Sequence, residues 1–139
     1  MAGSGDKLTA MIDKIAKLRL QDHFHFTGFL RGADTEKMFA LSDLFIMPSV
    51  SEPFGITPIE AMKYKVPTIV SKQSGVAEIL ENTIKVDFRD TDKLTSAIIE
   101  VLSDQEKADD IAERGYEEVS RNKWDKAAEK VLNVYREFQ

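Results

Sequence analysis

The sequence contains no cysteine. That removes a disulfide framework, a thiolate nucleophile and a thiolate metal site. A reducing cytoplasmic compartment is the simplest expectation. No stretch approaches the ~18 consecutive uncharged apolar residues of a membrane span. Met1 to Asp6 offers no basic region leading into an apolar core, so no secretory signal is expected. Internal repeats, low-complexity tracts and Pro-, Gly- or Ser-rich linkers are lacking too. An excess of positive charge is also missing. The 19 Lys and Arg face 24 Asp and Glu, a formal net charge of −5. General nucleic-acid binding needs a basic footprint and is not expected. What remains is ordinary globular composition: 42% apolar and 31% charged residues in a chain of 139, which argues against disorder. Residues 1–139 are expected to form one domain that buries about two-thirds of its unfolded surface.

The apolar pattern alternates between two periods. Met1-Ala2-Gly3-Ser4-Gly5 reads as a strand end and a turn. Leu8, Met11, Ile12, Ile15 and Leu18 recur at helical spacing. His23-Phe24-His25-Phe26-Thr27 alternates, as a strand closed by Gly28 would. Asp34 or Thr35 is placed to cap a helix carrying Met38, Phe39 and Leu41. Leu44 to Met47 and Pro67 to Val70 are apolar on both faces, which suits strands covered by helices on both sides. Val76 to Leu80 predicts one or two helical turns, and Thr83 to Val86 a last short strand. Three amphipathic helices follow, on Leu94, Ile98, Val101 and Leu102, on Ile111, Ala112, Tyr116 and Val119, and on Trp124, Ala127, Ala128, Val131, Leu132, Tyr135 and Phe138. Trp124 and Tyr135 are expected as core anchors. The expected fold is α/β, a three-layer Rossmann-like parallel sheet with helices on both faces. Ligands bind beyond the carboxyl ends of such strands. Three segments qualify: Gly28 to Gly32, Pro48 to Thr57 and Ser71 to Gly75.

Pro48 to Glu60 is the most informative stretch. It leaves a buried strand, turns at Gly55 and enters a helix. Thr57 is a good N-cap, Pro58 sits where a missing N–H costs nothing, and Glu60 would complete a capping box. The unpaired N–H groups near Gly55, Ile56 and Thr57 form, with the helix dipole, an anion site suited to phosphate. Gly55 lets a ligand approach the backbone closely. Glu52 is placed to accept hydrogen bonds from sugar hydroxyls, and Glu60 from a ribose. Each residue also has a plain structural explanation: capping for Glu60, solvation for Glu52, turn chemistry for Gly55.

Taken together these residues resemble a known family. Glu52-Pro53-Phe54-Gly55-Ile56 followed by Glu60-Ala61-Met62 is similar to the motif of two glutamates separated by seven residues. That motif marks the C-terminal, donor-binding domain of retaining GT-B glycosyltransferases, the group that includes glycogen synthases and sucrose synthases. Gly3-Ser4-Gly5, Phe26-Thr27-Gly28-Phe29, Ser74-Gly75-Val76-Ala77-Glu78-Ile79, Trp124 and Val134-Tyr135 resemble other segments of that domain, in the same order. The resemblance implies half of a GT-B fold. It implies retaining transfer of a sugar from a nucleotide diphosphate sugar to an acceptor hydroxyl, without an essential metal or further cofactor. It implies that Glu52 contacts the donor sugar and steadies developing positive charge. Phe54, Gly55, Ile56 and Thr57 would hold sugar and diphosphate, Glu60 the ribose, and Gly28, Phe29 and Leu30 would lie against the base. The intact enzyme would work in the cytoplasm or at a membrane periphery.

Two departures bear on these implications. The family domain normally begins with one more strand and helix, carrying an Arg and a Lys for the diphosphate, and nothing here matches that pair. The acceptor-binding N-terminal domain has no counterpart either. The chain is therefore expected to be N-terminally truncated, to bind donor weakly, to lack turnover alone and to self-associate through an open sheet edge. The other departure is Lys65, where the family usually has Gly in a left-handed conformation, at a cost of about 1 kcal/mol.

Other candidates carry less. His23 and His25 would share a strand face but lack a third metal ligand. Arg31, Lys72 and Arg89 are isolated cations, of which Lys72, directly after a strand, is the one placed for a phosphate. The mixed charges from Asp104 to Lys130 suit a solvated helix face. A phospho-receiver domain would need an acceptor Asp where Pro48-Ser49 stands, and an acidic pair at an earlier strand end, so it fails. A non-catalytic nucleotide-binding or folding fragment is the alternative reading.

Overall fold

The computed structural model describes residues 1–121 and 124–138, without the side chains of 124–127 and 130. It divides into two compact units, Met1–Met38 and Phe39–Gln139. In the first, helix α1 (Leu8–Lys17) follows the apolar spacing and ends with Lys14 and Lys17 in its last turn, where cations suit the dipole. The expected strand at His23 to Thr27 does not form. His23 closes a 3-10 turn, Gln21–His23, and a single parallel bridge joins Ala2 to Gly28. Gly3 N–H donates to Gly28 O at 2.7 Å and Thr27 N–H to Met1 O at 3.0 Å. Residues 23–27 themselves take part in no strand pairing among the described residues. Helix α2 (Ala33–Ala40) starts ahead of Asp34 and Thr35, so neither caps it. The carbonyl of Gly32, at φ 52°, accepts from Thr35 N–H instead. Leu41, assigned to this helix face, lies beyond its end and is exposed.

The second unit is built on three parallel strands in the order β1 (Phe45–Met47), β2 (Thr68–Ser71), β3 (Ile84–Val86). Phe45 pairs with Thr68 and Ile69 with Ile84. Between and after the strands come α3 (Ile56–Lys63), α4 (Val76–Ile79), α5 (Thr91–Ser103), α6 (Gln105–Arg121) and α7 (Trp124–Glu137). Every residue of β2 is buried, as its two-faced apolar run predicts. Val70 joins Met62 of α3, Leu80 and Val119 of α6. Ile69 joins Val86 and Ala97, with Leu94 and Ile98 of α5 against them. Helices thus cover both faces of the sheet. The buried hydroxyl of Thr68 is satisfied by Thr83 Oγ1 at 2.8 Å.

Small residues set the α6 contact. Ala108, Ala112, Gly115 and Val119 are its buried positions, and a Cβ on Gly115 would come within 2.9 Å of Met62 Cε. Glu118 accepts from the N–H groups of Glu81 and Asn82, both at 2.8 Å, which fastens the turn into β3. On α5, Ala97 and Val101 are buried, while Leu102 is exposed, contrary to expectation. The α7 stripe also departs from expectation. Tyr135 is 67% exposed and Phe138 84%, with Val131 and Leu132 open as well. Periodicity gave the helix, but no apolar face among the described residues covers it. Tyr135 is therefore not a core anchor, and Trp124, the other expected anchor, lies with Ala127 outside the described side chains. Most of the charged face of α6 is solvated as expected, with Arg121 paired to Glu117 at 2.8 Å.

Lys65 does adopt the left-handed conformation, at φ 55°. Its N–H donates to Met62 O and Val66 N–H donates to Ala61 O, so α3 ends in a Schellman motif. Lys65 Nζ sits 2.7 Å from Glu113 Oε2 and 5.0 Å from the Tyr116 ring centroid. Both partners of the ion pair are half exposed, so the contact offsets only part of the backbone cost. Lys65→Gly and Lys65→Ala both lose it, and only Gly relieves the backbone. In urea unfolding, Lys65→Gly should be about 1 kcal/mol more stable than Lys65→Ala.

Candidate functional site

The site begins where β1 ends. Pro48 to Gly55 leaves the sheet and turns into α3. Gly55 takes φ 91°, a left-handed conformation that glycine adopts without strain. It is buried, and what approaches its Cα is the protein itself: a Cβ there would lie 2.9 Å from Met47 Cε and 3.2 Å from Glu52 Cγ. The stem of Glu52 is thus held against Gly55, half-buried.

A second strand end closes on this loop. Glu52 forms a parallel bridge with Ser74. Gly75 N–H donates to Glu52 O at 2.9 Å, and Val76 N–H to Phe54 O at 2.6 Å. A Cβ on Gly75 would fall 2.1 Å from Pro53 O, so any larger residue forces the two backbones apart. The sequence signal for this contact was Ser74-Gly75 at a strand end.

Helix α3 starts two residues earlier than its sequence suggests. Gly55 is the N-cap, with no side-chain cap hydrogen bond, and Thr57 lies inside the first turn. The capping box therefore does not form, and Glu60 is the fifth helical residue, exposed. No acidic side chain occupies the first turn. Helix geometry leaves the N–H groups of Gly55, Ile56 and Thr57 without an intrahelical acceptor, at the positive end of the dipole, and Pro58 has no N–H to satisfy. Phe54 and Ile56 are exposed around this opening. The structure thus brings Glu52, Phe54, Gly55, Ile56, Thr57 and Glu60 to one helix start. Gly28, Phe29 and Leu30 belong to the first unit, where Gly28 has φ 65° and Phe29 is exposed.

Beyond the motif, Lys72 lines an open concavity with Asp87, Arg89, Asp90, Thr91, Asp92 and Lys93. Arg89 pairs with Asp87 at 3.0 Å and Lys93 with Asp90 at 2.8 Å. Three carboxylates thus balance the three cations, and Lys72 alone has no anionic partner among the described residues. The Arg89 guanidinium and N–H, with Gln73, hold the Asp87 carboxyl well below the usual carboxylate range. Asp87 therefore stays ionised where ordinary carboxylates titrate. Lys93 lowers Asp90 in the same sense. His23 lies in the 3-10 turn, so the two histidines do not share a strand face. Among the described residues no group of three or more His, Asp or Glu is arranged to hold a metal ion.

The Gly75 contact generates a direct test. Gly75→Ala should destabilise by about 2–3 kcal/mol in urea unfolding, because backbone meets side chain with nothing flexible to yield. Gly5→Ala, where the added Cβ meets nothing within 4 Å, should stay within about 0.5 kcal/mol.

The family model for glycosyl transferases group 1 fits residues 1–118. An uncharacterized glycosyltransferase of Methanocaldococcus jannaschii is 33% identical over 140 residues, covering 98% of this chain and 36% of that protein. The sucrose-phosphate synthase of Thermosynechococcus elongatus superposes with TM-score 0.82 at 25% identity, covering 98% of this chain and 37% of its own. Anabaena HepE, solved with UDP-glucose, superposes with TM-score 0.78 at 26% identity over 86% of this chain and 35% of its own. The chain thus spans about a third of the length of each.

Proposed function

Since the chain belongs to the glycosyl transferases group 1 family, with the α/β half-fold of its GT-B neighbours, we propose that it is the donor-binding part of a retaining glycosyltransferase. Its substrate class is a nucleotide diphosphate sugar, as the UDP-glucose complex of HepE supports. The observation that carries this reading is the start of α3. An uncapped helix end free of acidic side chains stands beside Glu52, with Glu60 released from any capping role. The N–H groups of Ile56 and Thr57, with the backbone of Phe54 and Gly55, receive the diphosphate. As the bond from the anomeric carbon to the diphosphate breaks, negative charge grows on the leaving group and the helix dipole stabilises it. Glu52 contacts the sugar hydroxyls and stabilises the positive charge developing on the ring. Glu60 accepts hydrogen bonds from the ribose. No metal is required for these roles.

The charge balance sets the strength of binding. The phosphates meet amides and no matching basic pair, on a chain of net charge −5, so affinity is weak. Turnover requires a second domain carrying the acceptor. Calorimetric titration with UDP, GDP, ADP and their glucose conjugates should show millimolar binding of at least one. No binding at that concentration overturns the reading and favours a folding fragment. Glu60→Ala should keep stability within about 0.5 kcal/mol and weaken that ligand about tenfold. Sugar transfer by the chain alone would refute the need for a second domain.

The chain also self-associates through a sheet edge in this proposal. Phe45 N–H donates to Pro67 O at 2.9 Å, so the alternating ladder turns the backbone of Ile46 toward the outer side of β1. Sedimentation should show association rising with protein concentration, and a monomer throughout refutes it.

A further inference from the structure

Side chains outside the motif join the ends of β2 and β3. Asp87 follows β3. Its Oδ2 accepts from Gln73 Nε2 at 2.9 Å and from Arg89 Nη2 at 3.0 Å, while Oδ1 accepts from Arg89 N–H and Nε. Gln73 carries the connection inward. Its Oε1 accepts from Ser71 Oγ at 2.8 Å, and its N–H donates back to that oxygen at 3.2 Å. Ser71 O then accepts from Ser74 Oγ at 2.7 Å. Ser71 and Ser74 are each 1% exposed. Ser74 bridges to Glu52, and the next residue, Gly75, donates to Glu52 O.

The last backbone rung between these strand ends is Lys72 N–H to Val86 O, at 3.0 Å. Past it, the Gln73 amide is the tie from the turn to β3. Gln73 is otherwise exposed, and ordering such a side chain costs rotamer entropy. Its two-sided engagement, with a carboxylate on one side and a buried serine on the other, is what a strut requires.

We propose that Gln73 and Asp87 are positioning residues for Glu52. The Asp87–Gln73 hydrogen bond sets the pitch of the Ser71-to-Gly75 turn, and that turn, through Gly75 and Val76, sets where the Glu52 loop stands. The catalytic meaning rests on the donor-site reading above, and the mechanical coupling does not.

The test uses the full chain and three variants. Gln73→Leu removes both hydrogen bonds. Gln73→Glu alone sets two carboxylates against each other. Gln73→Glu with Asp87→Asn restores the bond with donor and acceptor exchanged. Amide hydrogen exchange at Gly75 and Val76 reads the clamp, with Val101 as a remote reference. The first two variants should exchange about three to ten times faster at Gly75 and Val76, the equivalent of one hydrogen bond, with Val101 unchanged. The exchanged pair should return close to the wild-type rates. Unchanged Gly75 and Val76, equal acceleration at Val101, or failure of the exchanged pair each overturns the proposal. Titration with UDP-, GDP- and ADP-glucose separates the two readings. If the wild-type chain binds none, the donor site falls and the exchange result still decides the coupling. If it binds one and Gln73→Leu binds equally well, the positioning of Glu52 is refuted.

Discussion

Two backbone hydrogen bonds govern the site, from Gly75 to Glu52 and from Val76 to Phe54. They join the loop after β1 to the turn after β2, and so convert two separate strand ends into one surface. Their condition is steric. Only a residue without a Cβ lets Pro53 O approach position 75 this closely. Everything placed on that surface inherits the constraint: the packing of Glu52 against Gly55, the left-handed turn at Gly55, and the entry angle of α3. The sheet beneath supplies rigidity, because β2 is buried on both faces and cannot shift without opening two cores.

Electrostatics divide the carboxyl end of the sheet in two. Around α3 the field comes from aligned peptide groups with no acidic residue in the first turn. Around the start of α5 it comes from side chains that largely cancel, Arg89 on Asp87 and Lys93 on Asp90. In the proposed reading this contrast favours α3 over the start of α5 as the phosphate site, even though Arg89 and Lys93 stand at the latter.

The sequence was most legible where burial is two-sided. Leu44 to Met47 and Pro67 to Val70 predicted β1 and β2 because unbroken apolar runs have few other stable uses. Lys65 was legible as a left-handed residue only through the family resemblance, since its own chemistry argues against that conformation. Failures have distinct causes. His23 to Thr27 alternates, but alternation alone does not supply a ladder: His23 closes a 3-10 turn and the pairing is one bridge at Gly28. Thr57 was the better cap by propensity, yet the Gly55 turn starts the helix two residues sooner, and that shift moved Glu60 out of the capping box. Leu102, Tyr135 and Phe138 carry helical periodicity, which encodes a face and not what covers it. The Gln73–Asp87 link left no mark, because one exposed Gln and one Asp fourteen residues apart form no recognisable motif.

The two-residue shift at Gly55 separates two tasks that the sequence pattern assigns to one residue. Had Glu60 closed a capping box, any substitution there would loosen the helix as well as alter the surface. Because the turn at Gly55 starts the helix unaided, position 60 can change identity at little thermodynamic risk. That corner is evolvable: the side chain presented at position 60 can change while the scaffold beneath it stays the same.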